Sequence, residues 1–260
     1  MLNIVVLMAG KGSRFTEKGY CVPKPMVMVN GKTILQWTTE SCPFIRHDGK
    51  GQSSDINLCF AVLSEHLEDG LGEFLKSVYG KNITIIPFET VTRGNLETAR
   101  FACDKLHFSN QPILFLDSDN KYDHACMHEF FESLPNDLTT MAIFCFDNPN
   151  KVVPNKWCNA RIKNKLAVEI KEKDELWVNY PALVGAFYFS RVDQFKNYAD
   201  FIMHNVNPVG IKGKEEYYIS MVPKHHANIG QPVYVHMVKS VIPLGTPEDV
   251  NVFMQKGNME

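Results

Sequence analysis

Apolar positions along the 260-residue chain fall into two alternating kinds of segment. Short, β-branched runs occur at Asn3 to Met8, Ile56 to Leu63, Ile83 to Pro87, Pro112 to Leu116 and Thr140 to Phe146. Runs of this length without polar alternation predict strands buried on both faces. Between them, apolar residues recur at helical spacing in Thr33 to Glu40, Leu67 to Leu75, Leu96 to Leu106 and Met127 to Leu134. The βαβα alternation predicts an α/β, Rossmann-like fold, a mostly parallel sheet flanked by helices on both faces.

After Phe146 the pattern changes. Asn148-Pro149-Asn150 and Pro154-Asn155 interrupt it, and strand-like pieces then follow at Ala160 to Glu172 and Leu183 to Ser190 with less helix between them. Helices are expected over Val192 to Met203 and Glu215 to His225, then a strand at Val233 to Val238. A last helix opens at Thr246-Pro247-Glu248-Asp249, with a hydroxyl at the cap, proline in the first turn and carboxylates at the positive dipole end. The chain therefore reads as one domain over 1–260, a sheet-forming half at 1–147 and a smaller substrate-binding lobe grown on it at 148–260.

Charge removes one class of partner. With 27 basic and 29 acidic residues the formal net charge is −2, and no basic field of the kind that drives nucleic-acid binding is present. Seven cysteines form no CxxC pair and their odd number cannot close a disulfide framework within one chain, so they read as reduced thiols. The first apolar run is too short for a signal peptide and no later run approaches a membrane span. A cytoplasmic protein that crosses no membrane is expected.

The first strand feeds Ala9-Gly10-Lys11-Gly12-Ser13-Arg14, a loop with backbone N–H groups free of Cβ crowding, a guanidinium that can fork onto phosphate oxygens and an added lysine. A dinucleotide fingerprint would need a third glycine where Phe15 stands, and a P-loop would need glycine five residues before Gly31, where Met26 stands. Asn30-Gly31 reads as a turn before a helix. The continuation Pro23-Lys24-Pro25-Met26 adds a second cation between two prolines that hold the backbone extended, so Arg14 and Lys24 can converge on one triphosphate.

The run Leu7 to Phe15 followed by Pro23-Lys24-Pro25-Met26 resembles the signature of sugar-phosphate nucleotidyltransferases, the nucleoside-diphospho-sugar pyrophosphorylases, and is similar to glucose-1-phosphate thymidylyl- and cytidylyltransferases. Further blocks follow in family order. Thr92 to Ala99 resembles the helix start that meets the nucleobase, with Gly94 at the approach; Leu116-Asp117-Ser118-Asp119-Asn120 resembles the strand end where an aspartate binds Mg²⁺. Glu169 to Lys173 resembles the Glu-Lys pair for sugar hydroxyl and sugar phosphate, Val184 to Phe189 the strand whose glycine, Gly185, lies beside the sugar, and Leu244 to Asp249 the closing Gly-Thr motif.

The resemblance implies a nucleotidyltransferase that joins a nucleoside triphosphate, by preference a pyrimidine nucleotide, to a sugar 1-phosphate and releases pyrophosphate. It implies Arg14, Lys24 and Asp119 as catalytic residues, Ala9 to Arg14 with Gly94 on the nucleotide, Asn120, Glu172, Lys173 and Gly185 on the acceptor, and Mg²⁺ on Asp119. Nucleoside triphosphate and sugar phosphate are then the partners, and self-association into a homo-oligomer stays open. One departure stands out: several relatives that make deoxythymidine or cytidine diphospho-sugars carry a second metal-binding aspartate two residues before the last glycine, where this chain has Pro243. Fewer protein ligands, or a carboxylate such as Asp117 or Glu216, would then hold the metal.

Several residues have plainer readings. Asp117 and Asp119 alternate along a strand and face opposite ways unless the strand has ended, which favours Asp119 alone. Without the family context, Glu172-Lys173 is an ordinary charged surface pair. His124 and His128 stand at i, i+4 spacing with no third ligand near them, so a helix surface is the better reading than zinc. Two other functions compete: a cytidylyltransferase for a non-sugar acceptor such as a phosphocholine-like or polyol phosphate, and a non-catalytic nucleotide-binding relative, the latter motivated by Pro243.

Overall fold

The computed structural model describes residues 1–106, 109–123, 127–135, 137–147, 157–211 and 213–257. Nine strands form one sheet: β1 Leu2–Met8, β2 Ile56–Leu63, β3 Thr84–Phe88, β4 Ile113–Asp117, β5 Met141–Phe146, β6 Cys158–Lys163, β7 Leu166–Glu172, β8 Ala182–Phe189 and β9 Val233–Met237. Their spatial order is β3-β2-β1-β4-β8-β5-β9-β7-β6. Nine helices are described: α1 Ser13–Glu17, α2 Ile34–Thr39, α3 Ser64–Glu68, α4 Leu71–Tyr79, α5 Asn95–Cys103, α6 Met127–Ser133, α7 Val192–Asn205, α8 Met221–Asn228 and α9 Pro247–Gly257.

Strand β1 shows why the sheet is a two-sided core. Ile4, Val6 and Met8 point to the face covered by α2, α4 and α6, where Leu35, Leu75, Tyr79 and Met127 pack. Val5 and Leu7 point to the other face, with Leu96 and Ala99 of α5, Phe195 and Ala199 of α7 and Val222 of α8. A period of two inside a wholly apolar run thus feeds both layers. A third, smaller cluster, Phe15, Val27, Val29, Ile34, Leu244 and Val250, ties α1 and α2 to α9.

The sheet is mixed rather than mostly parallel. β1, β2, β3 and β4 run parallel, as do β5 and β9, but β8 is antiparallel to both β4 and β5, and the β6–β7 hairpin adds three more antiparallel pairings, within itself, with β9 and with β8. An unbroken apolar run reports burial on both faces and carries no information on direction, so β8 reads like its parallel neighbours.

Three further differences have local causes. The expected strand piece 160–172 is the hairpin β6–β7, turned by Asn164 and Lys165, both at positive φ (54° and 63°), which is the geometry of a tight type I′ turn. The expected helix 67–75 is split into α3 and α4 at Gly70 (φ 84°). The helix expected from Glu215 begins only at Met221. Tyr217 is already committed elsewhere: its N–H donates to the Arg93 carbonyl at 2.8 Å and its carbonyl accepts from Leu96 N–H at 3.0 Å, which leaves Lys214–Glu216 to pair with Val209–Ile211. The breaks predicted at 148–150 and 154–155, with the boundary at residue 148, lie outside the described residues.

Candidate active site

The sheet's parallel strands end on one edge, and there the loop after β1, the end of β4, the start of β8 and the opening of α9 enclose a cleft of about 240 Å³. Arg14, Asp117, Asp119, Asn120, Glu172, Lys173 and Gly185 all line it. Ligands of open α/β sheets gather at this edge because the diverging strand-to-helix loops leave a crevice.

The glycine loop is shaped to let a second segment pass close by. Gly12 (φ 65°) caps α1, and a β-carbon there would stand 3.0 Å from Lys24 Cβ. Lys24 opens a short 3₁₀ turn between the buried Pro23 and Pro25, and its Nζ reaches Asp119 Oδ2 at 2.5 Å. Both side chains are largely withdrawn from water, 17 % and 29 % exposed, so the pair is screened less than a surface ion pair. Of the other loop residues, Ala9 is buried, while Gly10, Lys11 and Ser13 are exposed.

Asp117 and Asp119 both face the cleft, against the expectation that only one would. β4 ends at Asp117, so strand alternation no longer separates them. Asp117 fits only because β8 bulges at Gly185 (φ 79°): a β-carbon at Gly185 would fall 2.1 Å from Asp117 Oδ2. Burial first, and then the Asp119 charge, push the Asp117 carboxyl up to about 8, while Lys24 and a hydrogen bond from Asn95 pull it the other way.

Gly94 packs tightly against a second backbone segment. A β-carbon there would lie 2.3 Å from the Tyr217 carbonyl oxygen, so the glycine (φ 132°) admits the 217–220 segment against the start of α5. The cleft is reached by its neighbour Asn95, whose Oδ1 accepts from Ile219 N–H at 2.9 Å and whose side chain also meets Asp117. Sequence reasoning passed over Asn95.

The acceptor side is assembled from distant segments. Ser220 Oγ donates to Glu172 Oε2 at 2.5 Å, and the Cys158 thiol bonds to the same carboxyl, which burial pushes above the usual carboxylate range. Lys173, at positive φ (51°), places its ammonium on the Tyr218 hydroxyl and 4.2 Å from that ring's centre; Tyr218 in turn donates to Glu216 Oε2 at 2.5 Å. Glu216 is thus engaged there and is no substitute ligand beside Asp119. Trp157, Tyr218, Ser220 and Asp249 line the cleft and went unnoticed as site residues. Asp249 alone had a local signal, its place in the first turn after Gly245-Thr246.

Among the described residues no group of three or more His, Cys, Asp or Glu side chains is placed to hold a metal. The cleft nevertheless suits a hard cation: its donors are carboxylate oxygens, and the Lys24 ammonium already stands in for one at Asp119. His128 packs its ring 4.6 Å from Phe44, and His124 lies outside the described residues.

No protein-family model matches the chain. Over 151 residues it is 28% identical to the N-acetylmuramate alpha-1-phosphate uridylyltransferase of Neisseria meningitidis serogroup B, a match covering 57% of this chain and 60% of that relative's length. Solved structures align over nearly the whole chain. The nucleoside-diphosphate-sugar pyrophosphorylase of Vibrio cholerae RC9 superposes with a TM-score of 0.71 at 19% identity, covering 97% of this chain and 99% of that one. A UDP-glucose pyrophosphorylase complexed with UDP-glucose superposes with a TM-score of 0.72 at 13% identity, covering 100% and 99%. The chain has the Rossmann-like fold of these proteins.

Proposed function

We propose that this chain is a nucleotidyltransferase that joins a nucleoside triphosphate, by preference a pyrimidine nucleotide, to a sugar 1-phosphate and releases pyrophosphate. The observation that carries the reading is the contact of Lys24 with Asp119 beside Arg14 and the glycine loop, at the edge where such folds bind nucleotides. The uridylyltransferase relative and the pyrophosphorylase neighbours support the same chemistry. Residues 1–147 then hold the nucleotide and 148–260 the acceptor within one domain.

The reaction needs charge management rather than covalent help. A phosphate oxygen of the acceptor attacks the α-phosphorus in line; the new P–O bond forms as the bond to the β-phosphate bridging oxygen breaks, and pyrophosphate leaves. Lys24 stabilises the charge growing on the α-phosphate, and Arg14 that on the departing pyrophosphate. No general base is required, because the acceptor phosphate is already an anion at neutral pH. Mg²⁺, held through Asp119 and the nucleotide phosphates, would supply further neutralisation. Lys173 holds the acceptor phosphate after leaving Tyr218, Glu172 takes a sugar hydroxyl, and Asn120 and Gly185 shape the wall beside it. Free cysteines, five of the described six buried, suit a reducing cytoplasm. No described helix is long and apolar enough to cross a membrane.

The test is pyrophosphate release from a matrix of CTP, UTP, dTTP, ATP and GTP against sugar 1-phosphates and small alcohol phosphates, with Mg²⁺ present or chelated. Metal-dependent release with a pyrimidine nucleotide and a sugar 1-phosphate is expected. Release only with a non-sugar acceptor would replace the acceptor class. Nucleotide binding with no release anywhere would overturn the enzymatic reading.

A further inference from the structure

Position 243 is proline, but another carboxylate, Asp249, lines the cleft with Asp119. Asp119 and Asp249 line the same cleft and close on one point, for a β-carbon at Gly245 would stand 3.2 Å from Asp119 Oδ2 and 4.0 Å from Asp249 Oδ2. Carboxylate oxygens of both residues border the space this glycine leaves. Backbone bonds fix the spacing. Leu244 N–H donates to the Asp119 carbonyl at 2.7 Å, Pro243 stands opposite Asn120 in antiparallel register, and the Asp249 N–H is held by Thr246 Oγ1 at 3.1 Å. Asp249 thus sits on the rigid first turn of α9, whose Val250 is buried against Phe15 and Leu244 in the cluster under the glycine loop. A cation is already drawn to this corner, since the Lys24 ammonium rests on Asp119 Oδ2.

We propose that Asp249 supplies the second protein carboxylate of the cation site, opposite Asp119, in place of the aspartate missing at position 243. The inference rests on the nucleotidyl-transfer reading and names the ligand set of its metal. Magnesium takes oxygen donors and keeps several of its positions for water and substrate phosphate, so two carboxylates on two fixed elements are a sufficient protein share. Glu248, the neighbouring carboxylate, is exposed and pairs with Lys18 at 3.6 Å, away from the cleft. Position 243 lines the same cleft, so a carboxylate returned there serves the same cation.

The test uses Mn²⁺ as probe, with the unreactive α,β-methylene analogues of UTP, CTP and dTTP, read by the loss of its free electron-paramagnetic signal beyond the loss each analogue causes without protein. Wild-type protein takes up Mn²⁺ with at least one analogue. Asp249→Asn should weaken that uptake tenfold or more, whereas Glu248→Gln leaves it within twofold, which separates a ligand from general negative charge at a helix start. Adding Pro243→Asp to Asp249→Asn should recover uptake to within about threefold of wild type, an outcome a misfolded variant cannot give. Equal uptake by Asp249→Asn and wild type, or equal losses in Asp249→Asn and Glu248→Gln, would overturn the assignment while leaving nucleotidyl transfer standing. Absence of Mn²⁺ uptake by wild type with all three analogues would overturn both.

Discussion

The two walls of the cleft are built differently. The wall proposed for the nucleotide comes from one stretch of chain, residues 9–26, whose glycines and prolines hold Arg14 and Lys24 in place, with Asp119 brought to Lys24 by β4. The wall proposed for the acceptor gathers Glu172 and Lys173 from the end of β7, Cys158 from β6 and Tyr218 and Ser220 from the segment before α8, and its polar side chains are already bonded to one another. One wall is a local motif that waits for charge. The other is a tertiary assembly in which, on the proposed function, substrate displaces an internal partner, Tyr218, to engage Lys173.

The contrast predicts different consequences for damage on each side. Lys24→Ala should cause the largest loss, about 10²-fold or more in turnover, as removal of a donor aimed at developing charge usually does; steady-state kinetics would check it, and unchanged turnover would break the contrast. Glu172→Gln should instead raise the acceptor KM about tenfold with kcat nearly unchanged, because a hydroxyl contact made in ground and transition states alike is uniform binding. A matching fall in kcat would move Glu172 to the reacting atoms.

Gly185→Ala tests the seam between the walls. A methyl 2.1 Å from Asp117 Oδ2, at a positive φ, should lower stability by about 1–3 kcal/mol, read from denaturant midpoints, and blunt activity through Asp117. The smallest effect concerns Asp117 itself. Its folded-state carboxyl titrates near 8, above the value of an unfolded chain, so between those values the native state holds a proton that the unfolded state lacks. Stability contributed by this group is therefore complete at acid pH and declines as pH rises through about 8. Asp117→Asn should flatten that decline and raise the melting temperature at pH 8 more than at pH 5.

How much of this was legible follows the same division. The glycine loop and Lys24 were legible as a phosphate cradle because their glycines, cations and prolines lie close in sequence, Asp119 through resemblance and its place at a strand end, and the cap of α9 because Thr246-Pro247-Glu248-Asp249 satisfies local helix chemistry. Glu172 and Lys173 were readable only through resemblance, since by charge pattern they are a surface pair. Ser220, Cys158 and Tyr218 carried no signal, because what makes them part of the site is proximity created by the sheet order. Asp117 was set aside by an alternation rule that stops applying where β4 ends, and Asn95 was overshadowed by Gly94, whose conformation serves Tyr217. The direction of β8 was invisible for the reason that burial on both faces looks alike in either direction.

The central claim, transfer of the α-phosphate group, is tested most directly by following label from a pyrimidine nucleoside triphosphate incubated with the protein, Mg²⁺ and the sugar 1-phosphate found active. Label placed on the α-phosphate should appear in a nucleotide-sugar and label on the γ-phosphate in pyrophosphate. Recovery of γ-label on the sugar phosphate, or of no label in any product while nucleotide remains bound, would contradict the account.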